Sequence, residues 1–284
     1  MKPGTALITG SSSGIGLHLA HEFARNGHDL VLVAPVAQEL NDLAQEIISQ
    51  TSVHIHVIAK DLENPDSARE IFDEVQALGL TIEILVNNAG HGMRGQTWEI
   101  ALETDLSMIR LNIEAPLRLT KLFLPPMIAR GHGTILNTAS VAGFEPGPML
   151  NVYHSTKAFL LSWSEALSVE LEKTGVQVTA LCPGPTDTDF FAKANMQGVR
   201  GFQQAQVMSP QSVAKIAYEG LIEGDMLVVP GGVNKALVVA RRVLTEEAQA
   251  RLNRKFYEEV PIEKQTRQRG DIEREAAAQD RVPA

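Results

Sequence analysis

The sequence predicts an α/β fold in one domain: a doubly wound, mostly parallel seven-stranded sheet with helices on both faces. Three observations carry that expectation. Short apolar runs recur at 5–9, 30–34, 53–58, 82–86, 133–138, 176–181 and 226–229, and most intervals between them are long enough for a helix, the rhythm of parallel β-α-β units. The runs are continuously apolar, as in Leu30-Val31-Leu32-Val33-Ala34, which is the pattern of strands covered on both faces. Helical periodicity fills the intervals, and several helices stop at a glycine, Gly27, Gly79, Gly131 or Gly175, the residue that most readily closes a helix in the left-handed conformation.

Taken in order, the first strand runs directly into Thr9-Gly10-Ser11-Ser12-Ser13-Gly14-Ile15-Gly16 and a helix over 15–26. Three glycines at a strand-to-helix turn allow backbone N–H groups to approach a phosphate closely, with the positive end of the helix dipole behind them. The second strand ends at Ala34-Pro35-Val36 before a helix over 38–50, and the third leads to Asp61-Leu62 and a helix over 65–78. An Asp in that place is also a common turn former. Asn87-Asn88-Ala89-Gly90 follows the fourth strand, and a long helix over 104–130 contains Asn112. Ser140 follows the fifth strand, and the next helix, over 152–174, opens with Tyr153-His154-Ser155-Thr156-Lys157. Pro183-Gly184, Thr186 and Thr188 follow the sixth strand; a helix over 210–223 precedes the seventh, and 233–244 reads as one more helix. The domain is expected to occupy 1–260, with 261–284 a polar C-terminal tail that packs weakly or serves as a docking arm.

Composition excludes several classes. The net charge of −9 argues against a nucleic-acid partner. Arg241-Arg242 and the basic residues after them alternate with glutamates, the pattern of a solvated helix face. One cysteine, Cys182, forms no internal disulfide, and the absence of a Cys/His cluster predicts no metal. No apolar run approaches the ~20 residues of a membrane helix, so a cytoplasmic protein without a membrane association is expected.

Tyr153 and Lys157 stand at i and i+4, so a phenol and an ammonium share one helix face. A phenol ordinarily titrates near pH ~10, and an adjacent cation lowers that value by favouring the phenolate. Ser140 lies at the C-terminal end of a strand, where open α/β sheets bind ligands. The three therefore converge on one crevice.

The Gly-xxx-Gly-x-Gly turn, Asn87-Asn88-Ala89-Gly90, Asn112, Ser140, Tyr153 with Lys157, and Pro183-Gly184 occur in the order found in the short-chain dehydrogenase/reductases. The chain resembles that family of Rossmann-fold, NAD(P)-dependent oxidoreductases over roughly residues 4–230. The resemblance implies hydride transfer between a nicotinamide and a carbonyl or secondary alcohol. Tyr153 would be the general acid/base, and Ser140 would orient the substrate oxygen. Lys157 would hold the nicotinamide ribose and lower the phenol pKa, while Asn112 would hold a proton-relaying water. It also implies cofactor contacts from Gly10, Ser11, Ser13, Gly14, Ile15 and Gly16 at the phosphates and from Asp61 and Leu62 at the adenine. Asn88, Ala89 and Gly90 would lie beneath the ribose, and Pro183, Gly184, Thr186 and Thr188 beside the nicotinamide. Assembly as a homodimer or homotetramer through the 104–130 and 152–174 helices is a further implication.

The chain departs from the family pattern at the cofactor selector. Ala34 and Pro35 stand where relatives carry an acid for NAD or a basic residue for NADP; with no acid to repel a 2′-phosphate, NADP is expected over NAD. The substrate is expected to be a small apolar carbonyl or alcohol compound. Segments 92–98, 143–151 and 187–206 would wall it, with Phe190, Phe191, Met196, Phe202 and Met208 forming either a lid or ordinary core. His91 and His154 are read as shaping residues. Two other functions remain open: a carrier-bound 3-oxoacyl reductase, for which Arg94, Arg200 and Lys193 are scattered docking candidates, and a non-catalytic nucleotide-sensing or scaffold protein.

Overall fold

The computed structural model describes residues 4–241, 243–272 and 274. Seven parallel strands form one sheet in the order β3-β2-β1-β4-β5-β6-β7. They are β1 (Thr5–Thr9), β2 (Leu30–Ala34), β3 (Ile55–Ala59), β4 (Ile82–Asn87), β5 (Gly133–Thr138), β6 (Val176–Leu181) and the short β7 (Leu227–Val228). The chain builds outward from β1 to β3, then returns to pair β4 against the other side of β1. That reversal opens a crevice at the carboxyl ends of β1 and β4.

Helices cover both faces, as the continuously apolar strands require. On one face α1 (Gly14–Arg25), α2 (Ala37–Gln50) and α9 (Pro210–Glu223) enclose Phe23, Leu30, Leu32 and Val86. On the other face α3 (Ser67–Ala77), α5 (Ala115–Arg130) and α6 (Asn151–Glu170) enclose Leu7, Val31, Leu85 and Ile135. A third cluster joins Leu150 and Tyr257 to Phe191 in α7 (Phe190–Lys193) and Phe202 in α8 (Arg200–Gln203). Beyond β7 come α10 (Gly232–Arg241) and α11 (Glu246–Phe256).

The helix expected over 104–130 is interrupted. It begins as α4 (Leu102–Ile109), widens into a π-helical turn at Arg110–Glu114 and resumes as α5. One additional residue in that turn rotates Asn112 inward, to 1% exposure. Such turns concentrate at functional sites, and a 3.6-residue hydrophobic period does not reveal them.

The first part of the C-terminal tail is firmly attached, contrary to the reading of a loosely packed arm. Asp187, fully buried, accepts hydrogen bonds from Gly270 N (2.9 Å) and Ile272 N (3.0 Å). Gln203 accepts from the backbone N–H groups of Thr266 and Arg267, both at 3.0 Å, and donates to Arg267 O at 2.9 Å. Arg267 donates to Phe202 O and Ala205 O, and Arg269 pairs with Asp189 at 2.8 Å. Sequence composition does not reveal this because these bonds use backbone groups and polar side chains, Asp187, Gln203, Arg267 and Arg269, in place of an apolar pattern. Residues 275–284 of the expected tail lie outside the described residues. Asp187→Ala strands two buried N–H donors and is expected to cost about 1–3 kcal/mol or more in urea unfolding, with Asp187→Asn losing less because it keeps an acceptor.

Candidate active site

The glycine turn after β1 forms one end of a cleft of about 720 Å³ that runs to Tyr153 and beyond. Gly10 and Gly14 have φ of 63° and 55°, left-handed values that side chains rarely adopt. A Cβ on Gly10 would lie 2.9 Å from Ala89 Cα, and one on Gly14 3.1 Å from the Thr188 methyl. Ser13 is the N-cap of α1 yet makes no side-chain capping bond, so the first-turn N–H groups face the cleft as donors for an anion. Ser12, Ser13, Gly14 and Ile15 line it.

Two residues expected at the phosphates are not on the cleft wall. Ser11 is fully buried, with its N–H and hydroxyl both directed at Val33 O. Gly16 serves packing: a Cβ there would meet Gly10 O at 2.1 Å. Ser12, which the sequence reading passed over, takes the lining position.

At the far end of this half, Ala34, Pro35, Val36, Lys60, Asp61 and Leu62 line the cleft. Asp61 lines it and also forms a turn, accepting from Glu63 N at 2.9 Å. Lys60 is the unforeseen residue. Its N–H donates to Ala34 O (3.0 Å), which sets it beside the end of β2, and its ammonium pairs with Glu70 at 2.5 Å.

In the centre, Thr9 and Asn88 bind the ends of β1 and β4 together: Thr9 Oγ1 accepts from Asn88 N (2.9 Å) and Ala89 N (3.0 Å), and Asn88 Nδ2 donates to Thr9 O (3.0 Å). The Asn88 amide is therefore largely occupied in holding the floor. Gly90 leaves the floor open, since a Cβ there would sit 3.0 Å from Asn112 Oδ1 and 3.4 Å from Lys157 Nζ. Asn112 itself is fully engaged. Its amide donates to His91 O (2.9 Å) and Thr156 Oγ1 (3.0 Å) and accepts from His91 N (3.0 Å), so it ties the loop after β4 to α6 and does not line the cleft.

Tyr153, Lys157 and Ser140 do converge. The Tyr153 phenol lies near enough to Ser140 for the two to interact, while Ser140 Oγ donates to Pro183 O at 3.4 Å and accepts from Ala142 N at 3.1 Å. Lys157 Nζ donates to Thr138 O at 2.7 Å and lies 5.7 Å from the centre of the Tyr153 ring. The expected direction of the phenol shift is corrected: burial pushes Tyr153 up to about 12, partly offset by the nearby Ser140 hydroxyl. Burial also pulls Lys157 down to about 8. Both charged forms lose solvation on burial, and that loss outweighs any mutual attraction. At neutral pH the phenol keeps its proton.

Pro183, Gly184, Thr186 and Thr188 line the cleft opposite α6. Thr186 Oγ1 donates to Gly184 O at 3.0 Å, while Thr188 closes over the glycine turn. Of the apolar set assigned to a lid, Phe190 packs on Tyr153 with ring centres 5.0 Å apart, and Phe190, Phe191 and Met196 line the cleft. Phe202 is a fully buried core residue, and Met208 packs against the core beneath α9.

The other wall of this end was not anticipated. Glu145 and Arg241 form an ion pair at 2.6 Å with side chains 5% and 16% exposed, so Arg241 does not belong to a solvated face; Arg242 lies outside the described residues. Asn253 and Tyr257 line the same wall, and His154 hydrogen-bonds the Tyr257 hydroxyl at 2.7 Å. These residues come from α10, α11 and the end of the chain, where no motif marks them. Arg94, a docking candidate, is instead held by Tyr257 O (2.9 Å) and Glu259 (3.0 Å), and Arg200 lies 3.9 Å from Glu258.

The long cleft, left-handed glycines and free helix N-terminus fit an extended dinucleotide. Comparisons with known proteins agree. The short chain dehydrogenase family model matches residues 4–199. A short-chain dehydrogenase from Sphingobium yanoikuyae in complex with NADPH is 33% identical, with a TM-score of 0.76, covering 84% of this chain and 94% of its own. The bulky-bulky ketone specific alcohol dehydrogenase from Comamonas testosteroni is 30% identical, with a TM-score of 0.72, covering 87% and 96%. A very-long-chain 3-oxoacyl-CoA reductase from Phaeosphaeria nodorum is 39% identical over 180 residues, 61% of this chain and 52% of that protein, so the match spans about half of it. Gly10→Ala places a Cβ against Ala89 in a strained conformation and is expected to weaken nicotinamide dinucleotide binding at least about tenfold by fluorescence titration.

Proposed function

The chain belongs to the short-chain dehydrogenase/reductase family and is an oxidoreductase, and we propose that it reduces the carbonyl of a small-molecule ketone or aldehyde with NADPH, Tyr153 acting as the acid. The observation that carries this reading is the convergence of the half-buried Tyr153 phenol, protonated at neutral pH, with Ser140 and Lys157 at the end of a dinucleotide-shaped cleft.

A bound nicotinamide supplies the hydride. Addition of hydride to a carbonyl builds negative charge on oxygen, and a donor placed there lowers the barrier. Tyr153 gives that proton, and Ser140 Oγ orients the same oxygen. Lys157, anchored on Thr138 O, keeps its charge below pH about 8; there it holds ribose hydroxyls and favours the phenolate left after transfer. Asn112 is a positioning residue that locks α6 to the loop carrying Gly90 and His91. At neutral pH the phenol carries its proton, the form that a reduction requires of the donor.

NADPH is supported chiefly by the lack of an acid at the end of β2; Lys60 lies at the adenosine end of the cleft, with its ammonium paired to Glu70. Glu39, exposed in the first turn of α2, and Asp61 and Glu63 are acidic groups lining that end. The resemblance of the fold to a ketone-specific alcohol dehydrogenase supports free ketones as substrates. A carrier-bound 3-oxoacyl reductase is less well supported, because Arg94 is already held and Arg200 faces Glu258, which leaves Lys193 at the cleft as its one docking candidate not in an ion pair among the described residues. Exposed Leu102 and Ile109 on α4 and Phe159 and Val169 on α6 support a homodimer or homotetramer.

The test follows nucleotide absorbance against a panel of ketones, aldehydes and alcohols with both cofactors. NADPH is expected to give the higher kcat/KM, with Lys60→Ala narrowing the ratio to NADH; a preference for NADH contradicts the cofactor assignment. Tyr153→Phe is expected to lose about 10²–10⁴-fold in kcat while binding nucleotide within about threefold of normal. Retained turnover in that variant contradicts the assignment of the acid.

A further inference from the structure

Beyond the reacting residues the cleft is lined by the polar groups of Glu145, Arg241, Asn253 and Tyr257 as well as by Phe190, Phe191 and Met196, and Tyr257 packs in the same cluster as Phe191 and Met196. Tyr257 is 6% exposed, lines the cleft and packs its ring edge-on against His154, with centres 5.6 Å apart. The hydrogen bonds of His154 fix the direction in which the Tyr257 hydroxyl points its proton. His154 Nδ1 faces Glu145 O at 2.9 Å. A carbonyl oxygen only accepts, so Nδ1 carries the hydrogen of the neutral ring. Burial holds the ring neutral, pulling it down to about 4, and Nε2 is therefore a lone pair. The Tyr257 hydroxyl, 2.7 Å from Nε2, must donate to it. Its only proton is spent, and what it offers the cleft is an acceptor.

Tyr257 lies at the reacting end of the cleft: the His154 ring centre is 6.3 Å from that of Tyr153 and 5.6 Å from that of Tyr257, and both tyrosines belong to one packed cluster and line the cleft. Behind it, Glu145 is already neutralised by Arg241, and Asn253 is bound to Pro146 O at 2.9 Å. This polar lining is thus prepared for a neutral donor and not for a second charge. We propose that Tyr257, held by His154, is a specificity-determining residue that accepts a hydrogen bond from a hydroxyl or amide N–H near the reacting carbonyl, making hydroxyketones or amidoketones the substrate class. This deepens the ketone-reductase reading and rests on it. His154 is the positioning residue: its imidazole directs the proton away from the cleft.

A buried acceptor left unpaired costs enough to discriminate about tenfold or more between a substrate that supplies the donor and one that lacks it. The test uses three aryl ketones that differ only on the carbon beside the carbonyl, which bears a hydroxyl, a methoxy group or hydrogen. The methoxy compound keeps the oxygen's electronic effect and removes the donor. Wild type is expected to favour hydroxyl over methoxy by about tenfold or more in kcat/KM, and Tyr257→Phe to bring that ratio within about threefold of one. His154→Phe frees the Tyr257 proton and is expected to shift preference toward the methoxy compound, an inversion that a purely structural role for His154 would not produce. A wild-type ratio within threefold overturns the proposal, as does a Tyr257→Phe variant that slows all three compounds equally. Calorimetric binding of the three ketones to the NADPH complex separates the two levels. Binding that depends on the hydroxyl and on Tyr257, without turnover of any ketone, would remove the reductase reading and leave the recognition role standing; no binding and no turnover would remove both.

Discussion

The hydrogen bond from Lys157 Nζ to Thr138 O is the fixed point of the reacting end. It fastens the start of α6 to the last residue of β5, and through it places Tyr153 one helical turn away against Ser140. The short turn Val141–Phe144 that follows Ser140 lies so close to α6 that a Cβ on Gly143 would be 2.7 Å from Lys157 O. That packing leaves Lys157 buried and Tyr153 half-buried against the cleft. Burial then raises the phenol and lowers the ammonium together. The burial of Lys157 and the proton held on Tyr153 thus follow from one packing arrangement.

The same packing extends to the floor. Thr156, on the turn between Tyr153 and Lys157, takes part in the Asn112 hydrogen bonds that also fix His91. Asn112 reaches them because the helix widens to a π turn at that point. Three elements distant in sequence, the loop after β4, the helix break and α6, are consequently held in one register around Gly90. Shifting any of them moves the reacting end relative to the nucleotide half.

Much of this was legible in the sequence. Continuous apolar strands and glycine helix stops gave the sheet and its two covered faces, and the strand ends placed Ser140, Tyr153 and Lys157 in one crevice. Local motifs spoke only for the backbone they sit on, however. Ser11 and Gly16 belong to the glycine turn by pattern, yet one turns inward to Val33 O and the other packs on Gly10. The phenol shift came out in the opposite direction because sequence spacing reports the neighbouring charge and is silent about desolvation. Arg241, Asn253 and Tyr257 were invisible for a related reason: they reach the cleft from the far end of the chain, and only the fold brings them beside Glu145 and His154. The attachment of residues 266–272 to Asp187 and Gln203 escaped notice because polar composition normally marks segments that do not pack.

The protonation of Tyr153 is the central claim. The chain has three tyrosines, so carbon-13 labelling at Cζ gives a spectrum that single Phe substitutions assign completely. Titrated without added nucleotide, the Tyr153 signal is expected to keep the neutral-phenol shift through about pH 10, the ordinary midpoint for tyrosine. A Tyr153 signal that ionises below about pH 9 would contradict the account, because Lys157 would then outweigh burial and the residue would be poised as a base.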